Sequence, residues 1–403
     1  MEEILTPVWD GDISYMESVF PVENKNGDVE PIRLLYPIEE IIKVQNASLT
    51  TTYQEGVDYA VAGGKLIVAE DGNIPITTYE EFHPTTGEIE SVEGGKLCFH
   101  EGSWFHERQI VVTYRHSAVY EGYIPEGKGN LLPNLHEKLQ NKEDIELLVF
   151  GDSISVGANA SGYEGINVSP WLPTYAELFG KTLASQYGVR VHLTNPSVGG
   201  KTTDWGLSEI DGVLEKQNGL DLAVIAFGAN DVNLSLNSYA TQINAIVSKI
   251  KKAYPNADVV LVATMLPNKQ AKGFYGNQEK FQNVLLSDCE REGVAVANIT
   301  KLHASLLDKK RYVDMTGNNV NHPNDYLTRI YVQALMKTLA KEEYIPNEES
   351  SKESVTSETV EENPLKTLLN GCNGTISASA GGGTALVGMA LMGKKRNRKN
   401  KSL

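Results

Sequence analysis

Cysteine is scarce: Cys98, Cys289 and Cys372 are the only three, far apart and in no CxxC pair. Such spacing supports neither a disulfide framework nor a cysteine-based zinc cluster. Cys98 lies in an alternating stretch and Cys289 in an amphipathic one, so both read as buried small apolar residues. Positive charge is also short. The formal net charge is -16, and the last ten positions hold six Lys/Arg and no acid, leaving -22 on the rest. A body of that sign repels nucleic acid and an anionic membrane surface and favours a neutral or small substrate. The opening MEEILTPVWDGD lacks both a basic leader and an apolar segment, so no signal peptide is read there. No spacing of His, Cys, Asp and Glu suggests a metal site, and no cofactor is expected. What remains is ample: 403 residues, 41% of them hydrophobic, enough for two domains and a tail.

Two textures divide the chain. Residues 1–125 hold short runs rich in Val, Ile, Thr and Tyr: IRLLYPI, EEIIKVQNASLTTTY, DYAVAGGKLIVAE, GGKLCFHEG and RQIVVTYRH. Turn pairs such as Asn26-Gly27, Gly63-Gly64, Asp71-Gly72 and Gly94-Gly95 separate them. This pattern predicts an all-β sandwich of jelly-roll type. A connector over 126–146 leads to residues 147–342, where apolar runs (IELLVFGDS, LDLAVIAFGAND, ADVVLVATM, VAVANIT) alternate with stretches of helical period (WLPTYAELFGKTLASQYG, NSYATQINAIVSKIKKAY, YLTRIYVQALMKTLAKEEY). That alternation predicts a parallel sheet covered on both faces, with active residues on loops beyond the strand C-termini. Residues 343–370 are acidic and polar, as a flexible linker would be. Residues 371–403, Gly-rich and apolar and then basic, read as a membrane or sorting tail similar to those of bacterial surface proteins. An anchor there implies an exported, cell-surface protein.

Four motifs, three at strand ends and one before the last helix, are the candidates for the chemistry. Gly151-Asp152-Ser153 follows LLVF directly and presents a serine on a sharp turn. Asn195-Pro196-Ser197-Val198-Gly199-Gly200 and Gly228-Ala229-Asn230-Asp231 end the next two strands and offer the Gly200 N–H and the Asn230 amide as donors to a developing oxyanion. Asn318-Asn319-Val320-Asn321-His322-Pro323-Asn324 precedes the last helix and supplies a base for the serine. Each alone has a plain structural reading as an N-cap, a glycine turn or a helix cap. The other seven histidines have no comparable setting.

Together, and in this order, the motifs resemble the SGNH or GDSL-like hydrolases. The resemblance covers residues 147–342, about half of the chain. It implies a flavodoxin-like three-layer α/β domain, ester hydrolysis, no cofactor, Ser153 as nucleophile, His322 as base, and Gly200 and Asn230 at the oxyanion. One position departs from the family. Asn319 stands where the family carries Asp, three residues before the histidine. A neutral amide can orient imidazole but cannot stabilise imidazolium by charge. Asp314, Asp325 or a backbone carbonyl is the expected substitute, unless Ser153 and His322 work as a dyad.

A β-domain ahead of an SGNH domain resembles bacterial carbohydrate acetyl esterases, which implies an acylated carbohydrate as substrate. Asp152, Trp171 and Trp205 are candidate substrate contacts, the tryptophans as flat faces for a sugar ring. Trp104 belongs either to a glycan surface or to the N-terminal core. Two other functions fit the same motifs: a catalytically weakened glycan-binding surface module, and a lipase or thioesterase acting on lipid acyl esters.

Overall fold

The computed structural model describes residues 3–341. The expected acidic linker and C-terminal tail, Cys372 included, lie outside the described residues.

The α/β part begins with helix α2 (Pro133–Asn141) and strand β6 (Ile145–Gly151) and continues through α3 (Ser153–Val156), α4 (Tyr175–Tyr187), β7 (Val191–Thr194), α5 (Thr203–Leu214), β8 (Leu222–Ala226), α6 (Leu236–Ala253), β9 (Asp258–Ala263), α7 (Gln278–Val284), β10 (Val294–Asn298), α8 (Ile299–Leu307) and α9 (Asp325–Leu339). The labels β1 to β5 and α1 belong to the N-terminal part described below. The strands form one five-stranded sheet of order β10-β9-β8-β6-β7, parallel at every junction. Counted from β6, this is the 2-1-3-4-5 order of flavodoxin-like sheets, whose direction of winding reverses between β6 and β8.

Side-chain period explains the layers. Leu148, Phe150, Ile225, Leu261 and Val296 point to one face, where they pack with Ile210 of α5, Ile243 of α6 and Phe281 of α7. Their neighbours Leu147, Val149, Val224, Val262 and Ala297 point to the other face, toward Leu135 of α2, Phe179 of α4, Leu302 of α8 and Ile330 of α9. Every residue of β8, β9 and β10 is buried, as strands covered on both faces require, whereas the edge strand β7 alternates between exposed and half-buried. Local signals fix helix ends. Thr174 and Glu177 form a capping box before α4, and Gly188 closes that helix at φ 64°.

The N-terminal part differs from expectation. Strands β1 (Ile13–Val19), β2 (Glu40–Asn46) and β5 (Ile110–Arg115) form a three-stranded antiparallel sheet of order β1-β5-β2, and β3 (Tyr59–Ala62) with β4 (Lys65–Val68) forms a separate ribbon. The one α-helix in this part, α1 (Tyr79–Phe82), is a single turn. The β-rich prediction therefore holds, but the sheets described do not make up a jelly roll. Two of the expected strands are irregular: residues 32–38 join β4 only through an Ile32–Leu66 bridge, and residues 94–102 only through Glu90–Lys96.

Nor does this part own a separate core. Val19, Leu34, Val44, Val112 and Tyr114 belong to the same buried cluster as Leu147, Phe179 and Ile330. The cause is α9. Twelve of its fifteen residues are buried, too many for a helix with one flank in water. Its Arg329 and Gln333 face the N-terminus. Arg329 donates to the carbonyls of Ile4, Tyr15 and Met16, and Gln333 bonds Thr6 and Val8. On another side of α9, the Tyr331 hydroxyl oxygen accepts from Met265 N–H at 2.7 Å, just beyond the end of β9. Among the described residues no helix is long and apolar enough to cross a membrane. Cys98 and Cys289 are buried and unpaired, as expected, and burial pushes their thiols up to about 12 and about 11.

Candidate active site

Gly151 ends β6 where a side chain has no room. A Cβ there would lie 2.4 Å from both Ala226 O and Ser155 Oγ. The chain then turns, and Asp152 caps the short helix α3 by accepting from Ile154 N at 3.0 Å. Ser153, the first residue of α3, thereby stands at the C-terminal end of the sheet beside the β6–β8 reversal. Asp152 is wholly buried, and burial pushes its carboxyl up to about 7. It supports the turn from behind, which corrects its expected role as a substrate contact: no ligand reaches a side chain without exposed surface.

The loop after β7 locks onto this turn. Asn195 Nδ2 donates to Ser155 O at 2.7 Å, and Ser197 Oγ accepts from Gly151 N at 2.9 Å. Gly199 then passes so close to the nucleophile that a Cβ on it would sit 3.7 Å from Ser153 Cβ. Gly200 follows at φ 72°, a conformation that favours glycine. After β8, Asn230 Nδ2 donates to Lys201 O at 3.0 Å, tying the second and third motifs together.

His322 arrives from the loop before α9. Its Nε2 lies 2.9 Å from Ser153 Oγ, and its Nδ1 lies 2.7 Å from Asn159 Oδ1. The Asn159 amide has a fixed sense, because its Nδ2 faces two carbonyls, Gly317 O at 3.2 Å and Gly102 O at 3.3 Å. Its oxygen therefore faces the ring. An amide oxygen only accepts, so Nδ1 carries the proton and Nε2 is left as the base toward Ser153. The loop is held from within by Asn318, whose Oδ1 accepts from the N–H groups of Val320, Asn321 and His322. Asn318 Nδ2 lies 3.0 Å from His322 Nδ1, but with Nδ1 protonated both are donors. The Asn318 amide instead serves Glu101 Oε1 at 3.0 Å and Asn321 Oδ1 at 3.2 Å. Glu101 Oε2 stands 3.6 Å from His322 Nδ1.

None of the three expected orienters touches the imidazole. Asn319 donates to Cys98 O at 3.0 Å and accepts from Asn268 Nδ2 at 3.2 Å, at φ 62°. Asp314 accepts from Phe20 N and pairs with Arg311. Asp325 accepts from Ser161 N at 2.8 Å. Trp205, expected as a flat face for a sugar ring, packs on Phe150 and Phe227 on the α5 side of the sheet. Trp171 is 60% exposed and keeps a free face. Trp104 packs among Phe20, Phe105 and His100, with Arg108 over its ring. His303, as expected, is structural: burial pushes it down to about 3 and its Nδ1 accepts from Leu266 N.

Sequence reading missed Asn159 and Glu101. Asn159 has one local signal, an αL backbone (φ 66°) that asparagine tolerates. Glu101 has none. The approach of Asn159 to the histidine loop also explains Gly317, where a Cβ would fall 2.4 Å from Asn159 Cβ. Neither atom can swing aside. Gly317→Ala should therefore displace Asn159 from Nδ1 and lower kcat by roughly 10²-fold, the usual cost of about 1 Å of misplacement, with little change in KM. Steady-state kinetics beside a thermal melt check this.

Residues 149–329 match the family model described as GDSL-like Lipase/Acylhydrolase. The chain carries a GDSL-like acylhydrolase domain. The chain is 26% identical over 121 residues to a GDSL-like esterase of Mycobacterium tuberculosis, an alignment covering 30% of this chain and 36% of that protein. It is 24% identical over 199 residues to an uncharacterized protein of Mycoplasma pneumoniae, covering 48% of this chain and 21% of that one. The chain thus spans about a third or less of the length of these curated relatives. Among solved structures it is similar to a two-domain esterase active on acetylated mannans, at 17% identity and TM-score 0.42, covering 53% of each chain. It is also similar to an acetylxylan esterase from Geobacillus stearothermophilus, at 15% identity and TM-score 0.40, covering 49% of this chain and 95% of that one. Among the described residues, no three His, Cys, Asp or Glu side chains cluster as metal ligands would.

Proposed function

We propose that this protein is a serine esterase that removes small O-acyl groups, foremost O-acetyl, from carbohydrate. The observation that carries the reading is the 2.9 Å contact between His322 Nε2 and Ser153 Oγ, with Nδ1 held protonated by Asn159. In the proposed cycle Ser153 Oγ attacks the ester carbonyl as Nε2 takes its proton. The carbonyl oxygen, now anionic, is received by the N–H groups of Ser153 and Gly200 and by the Asn230 N–H that does not bond Lys201. The C–O bond to the alcohol breaks and the imidazolium returns its proton to the leaving oxygen. A water, deprotonated by the same Nε2, then attacks the acyl-enzyme; carboxylate leaves and Ser153 regains its proton.

The substrate class rests on the lining. Gly199 lies against Ser153, and Glu101 and Asn318 stand beside His322, and these are polar or without side chain. A lipid acyl chain is best served by an apolar channel. The acidic body favours a neutral substrate, and the exposed Trp171 offers a flat apolar face of the kind that suits a sugar ring. A merely binding module would not need a base with its tautomer set.

The test is turnover of p-nitrophenyl acetate, together with acetate release from acetylated mannan and xylan, by the wild type and Ser153→Ala. Wild-type turnover is expected, and Ser153→Ala should fall to background with unchanged circular dichroism. Equal rates in the two proteins would overturn the serine mechanism. Fatty-acid release from lipid esters exceeding acetate release would overturn the carbohydrate assignment.

A further inference from the structure

Asn159 supplies geometry to His322 but no charge, and imidazolium forms each time Ser153 attacks. A charge stands on the same side of the ring, in the segment that precedes β5. Glu101 Oε2 is 3.6 Å from Nδ1, and its other oxygen is held at 3.0 Å by the Asn318 amide. We propose that Glu101 is the electrostatic partner of His322: a positioning residue, lent to the acylhydrolase domain by the N-terminal part, that replaces the carboxylate absent at position 319. This assignment rests on the esterase reading above.

The placement is built rather than incidental. Three contacts fasten the Glu101 segment to the catalytic loops on both sides of the carboxylate. Cys98 O accepts from Asn319 Nδ2, and Gly102 O accepts from Asn159 Nδ2. Upstream, Leu97 packs with Val320 and Ala271. Asn319 has therefore exchanged one task for another. It no longer faces the imidazole but ties down the segment that brings the carboxylate. Burial alone would raise the Glu101 carboxyl, yet the hydrogen bonds and charge of His322, with Asn318 and Asn159, hold it below the ordinary glutamate range, so it is ionised where the enzyme would work.

The groups facing this pair are few. From the histidine loop they are Asn318 and Asn321, and from the nucleophile loop Ser153 and Asn159. Asp152 titrates behind the nucleophile, pushed up to about 7 by burial. Because Asp152 is common to all variants, the informative quantity is the difference between profiles. Glu101 is 53% exposed, so water screens its charge. Its loss should cost less than the roughly 10⁴-fold of an Asp→Asn change in a buried triad, which also spoils the tautomer. Here Asn159 still keeps the tautomer.

The experiment compares wild type, Glu101→Gln and Glu101→Ala on p-nitrophenyl acetate across pH, with Ser153→Ala as blank. Glu101→Gln should lower kcat by about 10- to 100-fold with KM unchanged. Its acid limb of kcat/KM should also move to lower pH. The sign follows from charge: a carboxylate beside the ring favours the protonated imidazole, so without it the free base persists further into acid. Formate should restore activity to Glu101→Ala, because a half-exposed side chain leaves a hole that a small carboxylate can enter. Wild-type activity in Glu101→Gln, or a loss with an unmoved acid limb and no formate rescue, would overturn the proposal and leave the esterase reading standing. A wild type no faster than Ser153→Ala would overturn both.

Discussion

His322→Ala is expected to lower kcat by about 10⁵- to 10⁶-fold, the scale seen when a serine hydrolase loses its base. The reasoning is local. Ser153 Oγ has Nε2 at 2.9 Å as its base, and none of the other histidines shares that setting. Without the imidazole the hydroxyl must give its proton to water, and the leaving alcohol has no acid. Asn319→Ala gives the contrast. Its amide serves Cys98 O and its oxygen serves Asn268, so its loss should cost about 1–3 kcal/mol of stability for orphaned buried groups. Its effect on kcat should stay within about tenfold, far below a triad loss. Burst and steady-state kinetics on one acetyl ester would separate the two. Equal damage from both changes would mean that the imidazole is oriented through position 319 after all.

The second large effect concerns stability. Glu17 of β1 and Lys310, just after α8, form an ion pair in which neither side chain has exposed surface. Each charge is fully partnered. Glu17 accepts from Leu35 N and Tyr114 Oη, both at 2.7 Å, and Lys310 also donates to Ser18 O at 3.0 Å. Glu17→Ala leaves a buried ammonium alone and should cost about 3–5 kcal/mol. That corresponds to a fall in Tm on the order of 10 °C. Lys310→Met should cost a similar amount by stranding the carboxylate. The double variant Glu17→Ala/Lys310→Met should be less damaged than the sum, because no lone charge remains. Thermal denaturation of the four proteins completes the cycle, and strict additivity would show that the pair is not coupled.

Much of the α/β part was legible because its signals are local. Apolar runs such as LDLAVIAF read as strands covered on both faces, and the four short motifs included the Ser153 and His322 that the fold brings to 2.9 Å. The N-terminal part was harder. Its strands are short, and the apolar residues 32–38 serve the shared core without pairing as a strand. Residues on both sides of position 125 share one buried cluster, because α9 buries one flank under the parallel sheet and another under the N-terminus, which no helical period reveals. The Glu101–His322 relation was illegible for a related reason: Glu101 and its Asn318 partner are 217 positions apart. Position 319 showed that a carboxylate was missing but not where its substitute lay. Asp314 and Asp325 were near in sequence and were already committed to Arg311 and Ser161.

Because α9 is covered both by the parallel sheet and by the N-terminal strands, the α/β part cannot be treated as a cassette. Trimming the first third away would strip the cover from Tyr326, Arg329 and Gln333 and take Glu101 with it, leaving a bared helix and a histidine without its countercharge. A graft of the Ser153 and His322 loops alone would leave behind the segment that holds the Glu101 carboxylate 3.6 Å from the imidazole.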